Sequence, residues 1–149
     1  MRLDPSEIVP SLVVHLDTTV LRQLGGCQSN AERTGAVDRA VVGPHYFLIV
    51  SVDRQSSVAT AVPLFSKRAP GSDELAEQHK TGLADKWVGV PSYFSYWQHW
   101  RIPIAAMVAS SDADEATPDT RRRYASATPE ALEPIANWEL KNRAAYRAV

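Results

Sequence analysis

The sequence predicts a mainly β protein with peripheral helices, and three observations carry that fold class. First, residues 41–66 read Val-Val-Gly-Pro-His-Tyr-Phe-Leu-Ile-Val-Ser-Val, then Asp-Arg-Gln-Ser-Ser, then Val-Ala-Thr-Ala-Val-Pro-Leu-Phe-Ser. These are two β-rich runs around a short polar connection. Second, Tyr46, Leu48, Val50 and Val52 form one alternating set and Phe47 and Ile49 the other. Both sets are apolar, so the strand is expected to be covered on both faces or to bend through a small barrel. Third, further short strand candidates at Leu12–Leu16, Lys86–Val90 and Ile104–Val108 are separated by segments rich in Gly, Pro and polar residues.

Taken in order, residues 1–11 hold Pro5 and Pro10 and read as a lead-in to the strand at Leu12–Leu16. Asp17 caps a short helix, because its carboxylate can accept the free N–H groups of a first turn. Val20, Leu21 and Leu24 share that helix's buried face, and Gly25-Gly26 stops it. Residues 25–40 read as a loop carrying Arg33 and Arg39. Asp53 to Ser57 is the hairpin loop, and Pro63 marks a strand end or an edge, since proline cannot donate to a ladder. Ser72 or Asp73 caps a helix through Leu75 and Ala76 that ends at Gly82. Thr117-Pro118 and Thr128-Pro129 both match helix starts, and Arg121 to Arg123 fall on a short helix. Pro134 places the start of the terminal helix nearby, with Ile135, Trp138, Ala145 and Val149 on its packed face. The expected organisation is one compact domain over 1–149, a β core over 41–110 and a terminal helical segment over 128–149.

The chain has 149 residues, 44% of them hydrophobic, which suits a single domain with a real core. Net charge is -1, and the charges are evenly spread. Residues 1–60 carry five Lys/Arg and six Asp/Glu, residues 61–110 five and four, and residues 111–149 six and seven. That pattern argues against large electrostatic binding of duplex DNA while permitting a local nucleic-acid groove. Cys27 is the only cysteine, so an intrachain disulfide and a thiolate metal cluster are excluded, and a small buried thiol is the ordinary reading. His15, His45, His79 and His99 are widely separated without ligand spacing, so neither a metal nor a cofactor is expected. The opening residues lack a signal-peptide hydrophobic segment and no run is apolar enough to span a membrane, so the expectation is a cytoplasmic protein without a membrane partner.

The order of loop arginine, hairpin, Pro63-Leu64-Phe65-Ser66-Lys67, loop, helix, further strands and terminal helix resembles the MazF/PemK-like toxin ribonucleases over roughly residues 33–110. Arg39 stands as the loop arginine, Pro44 as the following proline, Leu48 to Ser51 as the end of the first strand, and Pro63, Leu64 and Ser66 as the second motif. Ala40-Val41-Val42-Gly43 separates Arg39 from Pro44, and Phe65 stands where the family commonly has a hydroxyl. The resemblance implies a small SH3-like barrel and a metal-independent toxin endoribonuclease that cleaves single-stranded RNA. It also implies an inhibitory protein partner and a homodimer. Arg39 would stabilise charge growing on the phosphoryl oxygens, Ser66 would position or share a proton, and His45 would assist as base or acid.

Pro91 to Arg101 is unusual, because Tyr93, Phe94, Tyr96, Trp97 and Trp100 crowd into it. Tyr96, Trp97 and Trp100 are candidates to stack on exposed bases, and Arg101 to hold a phosphate or lie over a ring. The same rings also suit a core or an interface, since large aromatics dominate both. The alternative function is accordingly a non-catalytic small β-barrel module that binds a protein or nucleic acid through an aromatic surface. A second resemblance, to the opening of PIN-domain nucleases, covers Val14 to Leu21. It would make Asp17 a metal ligand with Asp112, Asp114 or Asp119, but the hairpin at 41–64 does not suit that alternating fold.

Overall fold

The computed structural model describes residues 3–82, 84, 86–95, 97–111, 122–137 and 145–149. In chain order the elements are β1 (Leu12–Asp17), α1 (Thr18–Leu24), β2 (Gln28–Ser29), β3 (Arg33–Thr34), β4 (Val37–Asp38), β5 (Pro44–Asp53) and β6 (Val58–Phe65). There follow β7 (Ser72–Glu74), β8 (Lys80–Thr81), β9 (Tyr93–Ser95), β10 (Trp100–Pro103), α2 (Ile104–Ser111), β11 (Arg122–Tyr124), α3 (Glu133–Ala136) and β12 (Arg147–Ala148). The chain is thus mainly β with peripheral helices, one of them near the C-terminal end.

The β5–β6 hairpin is the centre of the main sheet, which runs β12-β2-β10-β6-β5-β1-β11-β8. Among the described residues the two ends of that path do not pair with each other. The hairpin loop has no glycine. Instead the Asp53 carboxylate accepts the Gln55 and Ser56 N–H groups, and Ser57 takes a left-handed conformation (φ 58). Hydrogen bonds from Ser56 and Gln55 hold the Asp53 carboxyl below its ordinary range.

Both faces of the hairpin are covered, for the reason that both alternating sets are apolar. On one face Leu12, Val14, Leu16, Phe47, Ile49, Ala59 and Ala61 pack with Leu21, Trp100, Ile104 and Met107. On the other Val13, Leu48, Val50, Val62 and Leu64 pack with Leu75, Trp87, Phe94, Tyr124, Leu132 and Ile135. One residue departs from strict alternation. The β5–β6 register shifts between Ile49 and Ser51, a bulge that leaves Val50 without a direct partner. The bulge reverses parity, so Val52 packs with the Phe47 and Ile49 face and not with Leu48 and Val50.

Pro63 is inside β6 and does not end it. It is the last β6 residue paired with β5, opposite Phe47, and the next residues, Leu64 and Phe65, pair with β9. The outer edge of β6 is therefore shared: residues 58–61 pair with β10 and residues 64–65 with β9. Beyond Pro63 the two hairpin strands part, leaving Pro44, His45 and Tyr46 of β5 paired only with β1.

Several local expectations change. Asp17 caps α1 through the Thr19 N–H and Gly25 follows it at φ 78, as expected, but Leu24 is exposed and the buried residues are Thr18 and Leu21. The loop at 25–40 contains β2 and the small β3–β4 hairpin. The helix expected after Ser72 is β7, a 3-10 turn at Glu77–His79, and β8. The strand expected at Lys86–Val90 is a turn that buries Trp87. Lys80 holds this turn. Its buried ammonium donates to the Val90 carbonyl at 2.7 Å, the Trp87 carbonyl at 3.3 Å and the Glu77 carboxylate at 2.5 Å.

The strand expected at Ile104–Val108 is α2. The ladder with β6 ends at Pro103, and Ala105, Ala106 and Met107 are strong helix formers. Arg122 and Arg123 are on a strand, β11, which pairs with β1. Thr128 does not cap; its hydroxyl meets His79 Nδ1 at 2.9 Å instead. Pro129–Leu132 is a 3-10 turn that continues into α3, with Pro134 in its first turn and Ile135 buried. Ala145 and Val149 are not helical, and β12 returns to pair with β2. Thr117-Pro118, Arg121 and Trp138 lie outside the described residues.

Candidate functional site

A groove of about 1550 Å³ opens where β5 and β6 part. The start of β5 (Pro44, His45, Tyr46) and the end of β6 with its following loop (Leu64 to Pro70) both line it. So do residues 30–33, Arg39, Trp97 and Gln98. His45 and Tyr46 are adjacent strand residues and point to opposite faces. Both reach the groove because the hairpin no longer closes there. On one side His45 meets Phe65 edge-on at 5.6 Å between ring centroids. On the other, His15 leans on Tyr46 at 4.8 Å, and the Arg122 guanidinium lies over Tyr46 at 3.8 Å.

Arg39, His45 and Ser66 thus come from three separate segments and line one groove. Arg39 and Ser66 are exposed and His45 is half-buried. Arg39 is anchored through its backbone: its N–H donates to the Glu32 carbonyl and its own carbonyl accepts from Gln98 Nε2 at 3.3 Å. Its side chain pairs with Glu32 at 3.2 Å. Both partners are largely exposed, so that pair is weak and readily exchanged for another anion.

The groove is basic although the chain is not. Its described lining carries seven Lys/Arg side chains and one carboxylate, that of Glu32. Arg68 has Glu74 at 3.9 Å and lies over Tyr93 at 5.3 Å, while Arg147 donates to Asp38 at 2.5 Å. Burial works to raise the Asp38 carboxyl, but hydrogen bonds from Arg147 and the Ala40 N–H hold it below its ordinary range.

The aromatic candidates separate. Trp97 is 52% exposed on the groove wall. Trp100 is fully buried and is a core residue: it packs edge-on to Phe47 at 5.8 Å, and its indole N–H donates to Gln98 Oε1 at 2.7 Å. Its assignment to substrate binding is corrected on that ground, because no base can stack on a ring with no exposed face. Arg101 is outside the groove lining, with its guanidinium over the Tyr146 ring at 3.7 Å. Tyr96 lies outside the described residues. Asp17 spends its carboxylate on the α1 cap, and Asp112, Asp114 and Asp119 lie outside the described residues.

His15, Asn30 and Gln98 join the groove without having been singled out as site residues, and Arg122, from the basic cluster Arg121 to Arg123 that could touch phosphate or an acidic partner, lines it as well. His15 is the fourth residue of β1, and its pairing with Tyr46 across the β1–β5 ladder brings it to His45's end of the sheet. Arg122 reaches the groove from β11, a strand paired with β1 and not the short helix expected for Arg121 to Arg123.

Comparison with family models, with curated proteins and with solved structures gave no match.

Proposed function

We propose that this protein is a metal-independent endoribonuclease acting on single-stranded RNA, with the groove between β5 and β6 as its active site. The observation that carries this reading is that Arg39, His45 and Ser66, from three segments of the chain, all line one basic groove. A single strand offers phosphates to the cations and unstacked bases to the exposed ring of Trp97.

In the proposed reaction the ribose 2′-oxygen attacks the adjacent phosphorus. The bond from O2′ to phosphorus forms and the bond from phosphorus to O5′ breaks. His45 takes the 2′-hydroxyl proton or returns one to O5′, and Ser66 positions the phosphate and shares a proton with it. Arg39 exchanges Glu32 for the phosphoryl oxygens, where negative charge grows in the transition state. The products are a 2′,3′-cyclic phosphate and a 5′-hydroxyl. The finer fold reading, a small SH3-like barrel of the MazF/PemK kind, is part of the proposal. It draws support from the change of partner along β6, the sort of bend by which a hairpin curls toward closure.

A non-catalytic binding module is the second reading, favoured by the engagement of Arg39 with Glu32 and not with His45 or Ser66. Cleavage of a mixed-sequence single-stranded RNA in excess chelator separates the two. The expected result is cleavage by the parent, reduced about 100-fold or more in Arg39→Ala and strongly in Ser66→Ala, with both variants folded. Cleavage that both variants retain at parental rate would remove the site. Absence of cleavage by folded, partner-free protein would leave the binding module.

A further inference from the structure

Asn30 follows β2 directly, is 2% exposed, and belongs to the groove wall. Its Oδ1 accepts the His99 N–H at 2.6 Å. Only the oxygen can take that bond, so the orientation of the amide is fixed. Nδ2 therefore faces away from His99, and it meets no acceptor among the described residues. Arg147 Nε, also on the groove wall, is another buried donor without an acceptor among them, although Nη2 of the same residue reaches the Ala31 carbonyl at 3.3 Å. Buried donors without acceptors are rare because each forfeits its hydration. Two of them beside Ala31, on the wall of one groove, mark a place suited to acceptors that come from outside.

Trp97 also lines this groove, two residues before His99, with half of its surface open. The ring is backed by Gly71, where a Cβ would fall 2.1 Å from the indole nitrogen. A flat, supported ring and a neutral amide donor suit a flat, neutral group bearing a carbonyl. A phosphate would be better served by the cations elsewhere along the groove.

Resting on the reading of this groove as a single-stranded nucleic-acid site, we infer that Asn30 and Trp97 form a base-selecting subsite. A nucleobase stacks on Trp97, and its carbonyl oxygen accepts from Asn30 Nδ2. Uracil, guanine and cytosine present such an oxygen and adenine presents none. Asn30 is a specificity-determining residue and takes no part in bond breaking.

The test is binding of fluorescein-labelled 2′-deoxy hexanucleotides carrying either uracil or adenine to the full chain. Without 2′-hydroxyls these probes report binding apart from cleavage. The expected result is tighter binding of the uracil probe by about tenfold, the worth of one well-made hydrogen bond. Asn30→Asp, which keeps an oxygen for the His99 N–H and removes the donor, is expected to abolish the difference. Trp97→Ala is expected to weaken both probes, and Trp97→Phe to restore much of the loss. Equal affinity for the two probes, an unchanged preference in Asn30→Asp, or no binding of either probe overturns the subsite. Should Asn30→Asp fail to fold, unchanged affinity in Trp97→Ala, a surface substitution, overturns it as well. Base-selective binding without RNA cleavage would count against the nuclease alone, whereas cleavage without base preference would count against the subsite alone.

Discussion

Cys27 shows how burial silences a reactive group. The thiol is buried among Leu21, Trp100 and their neighbours, and burial pushes it up from 9.0 to about 11 in spite of the nearby Arg22 charge. Because ionisation is harder in the folded protein, this residue supports the fold fully below pH 9 and loses that support as pH rises toward 11. Native protein at pH 8 is therefore expected to resist alkylation by iodoacetamide, with labelling appearing only on unfolding; rapid labelling of folded protein would contradict the assignment. The groove residues have the opposite character. Arg39 and Ser66 are open to solvent, and His45 is half-buried, with a T-shaped contact to Phe65.

At the scale of elements, the loop after β6 matters because it sets Trp97. Gly71 sits at φ 76, where an L side chain is strained, and its missing Cβ leaves room for the indole. Gly71→Ala is expected to displace Trp97, seen as a large shift of its indole N–H signal by NMR, and to cost about 1 kcal/mol or more in denaturant unfolding. An unmoved indole signal would show that the ring does not depend on this glycine. The hairpin at the centre was legible because both of its alternating sets are apolar, and two-sided burial follows from that pattern directly. The switch at Val52 was not legible, since a bulge that reverses parity leaves no mark on an apolar run. Lys86–Val90 and Ile104–Val108 misled for a related reason: short apolar runs suit strand, turn or helix alike, and tertiary packing of Trp87 and Met107 decided between them. Arg39 and Ser66 stand out in the chain by motif order and His45 as the nearby proton carrier, and all three line the groove. Asn30 and His15 do not stand out, because only strand pairing over long separations brings them to the same groove.

At the scale of the molecule, the decisive property is a charge distribution that the net value conceals. A chain of net charge -1 presents a groove whose described lining has seven basic side chains and one acid. Acidic residues placed elsewhere keep the total near zero and leave a local potential for a polyanion. Binding of a 2′-deoxy oligonucleotide is accordingly expected to weaken about tenfold or more between 50 and 200 mM salt, as for release of counterions from a few phosphates. Affinity that is indifferent to salt would mean that the cations do not meet a nucleic-acid backbone.

The most direct measurement of the central claim is the end-group chemistry of RNA incubated with the protein in excess chelator. The expected fragments end in 2′,3′-cyclic phosphate and begin with 5′-hydroxyl, and they are lost when the scissile 2′-hydroxyl is replaced by hydrogen and with Arg39→Ala. Fragments with 3′-hydroxyl and 5′-phosphate ends that form only when a divalent metal is restored would contradict it. So would intact RNA after incubation with folded protein.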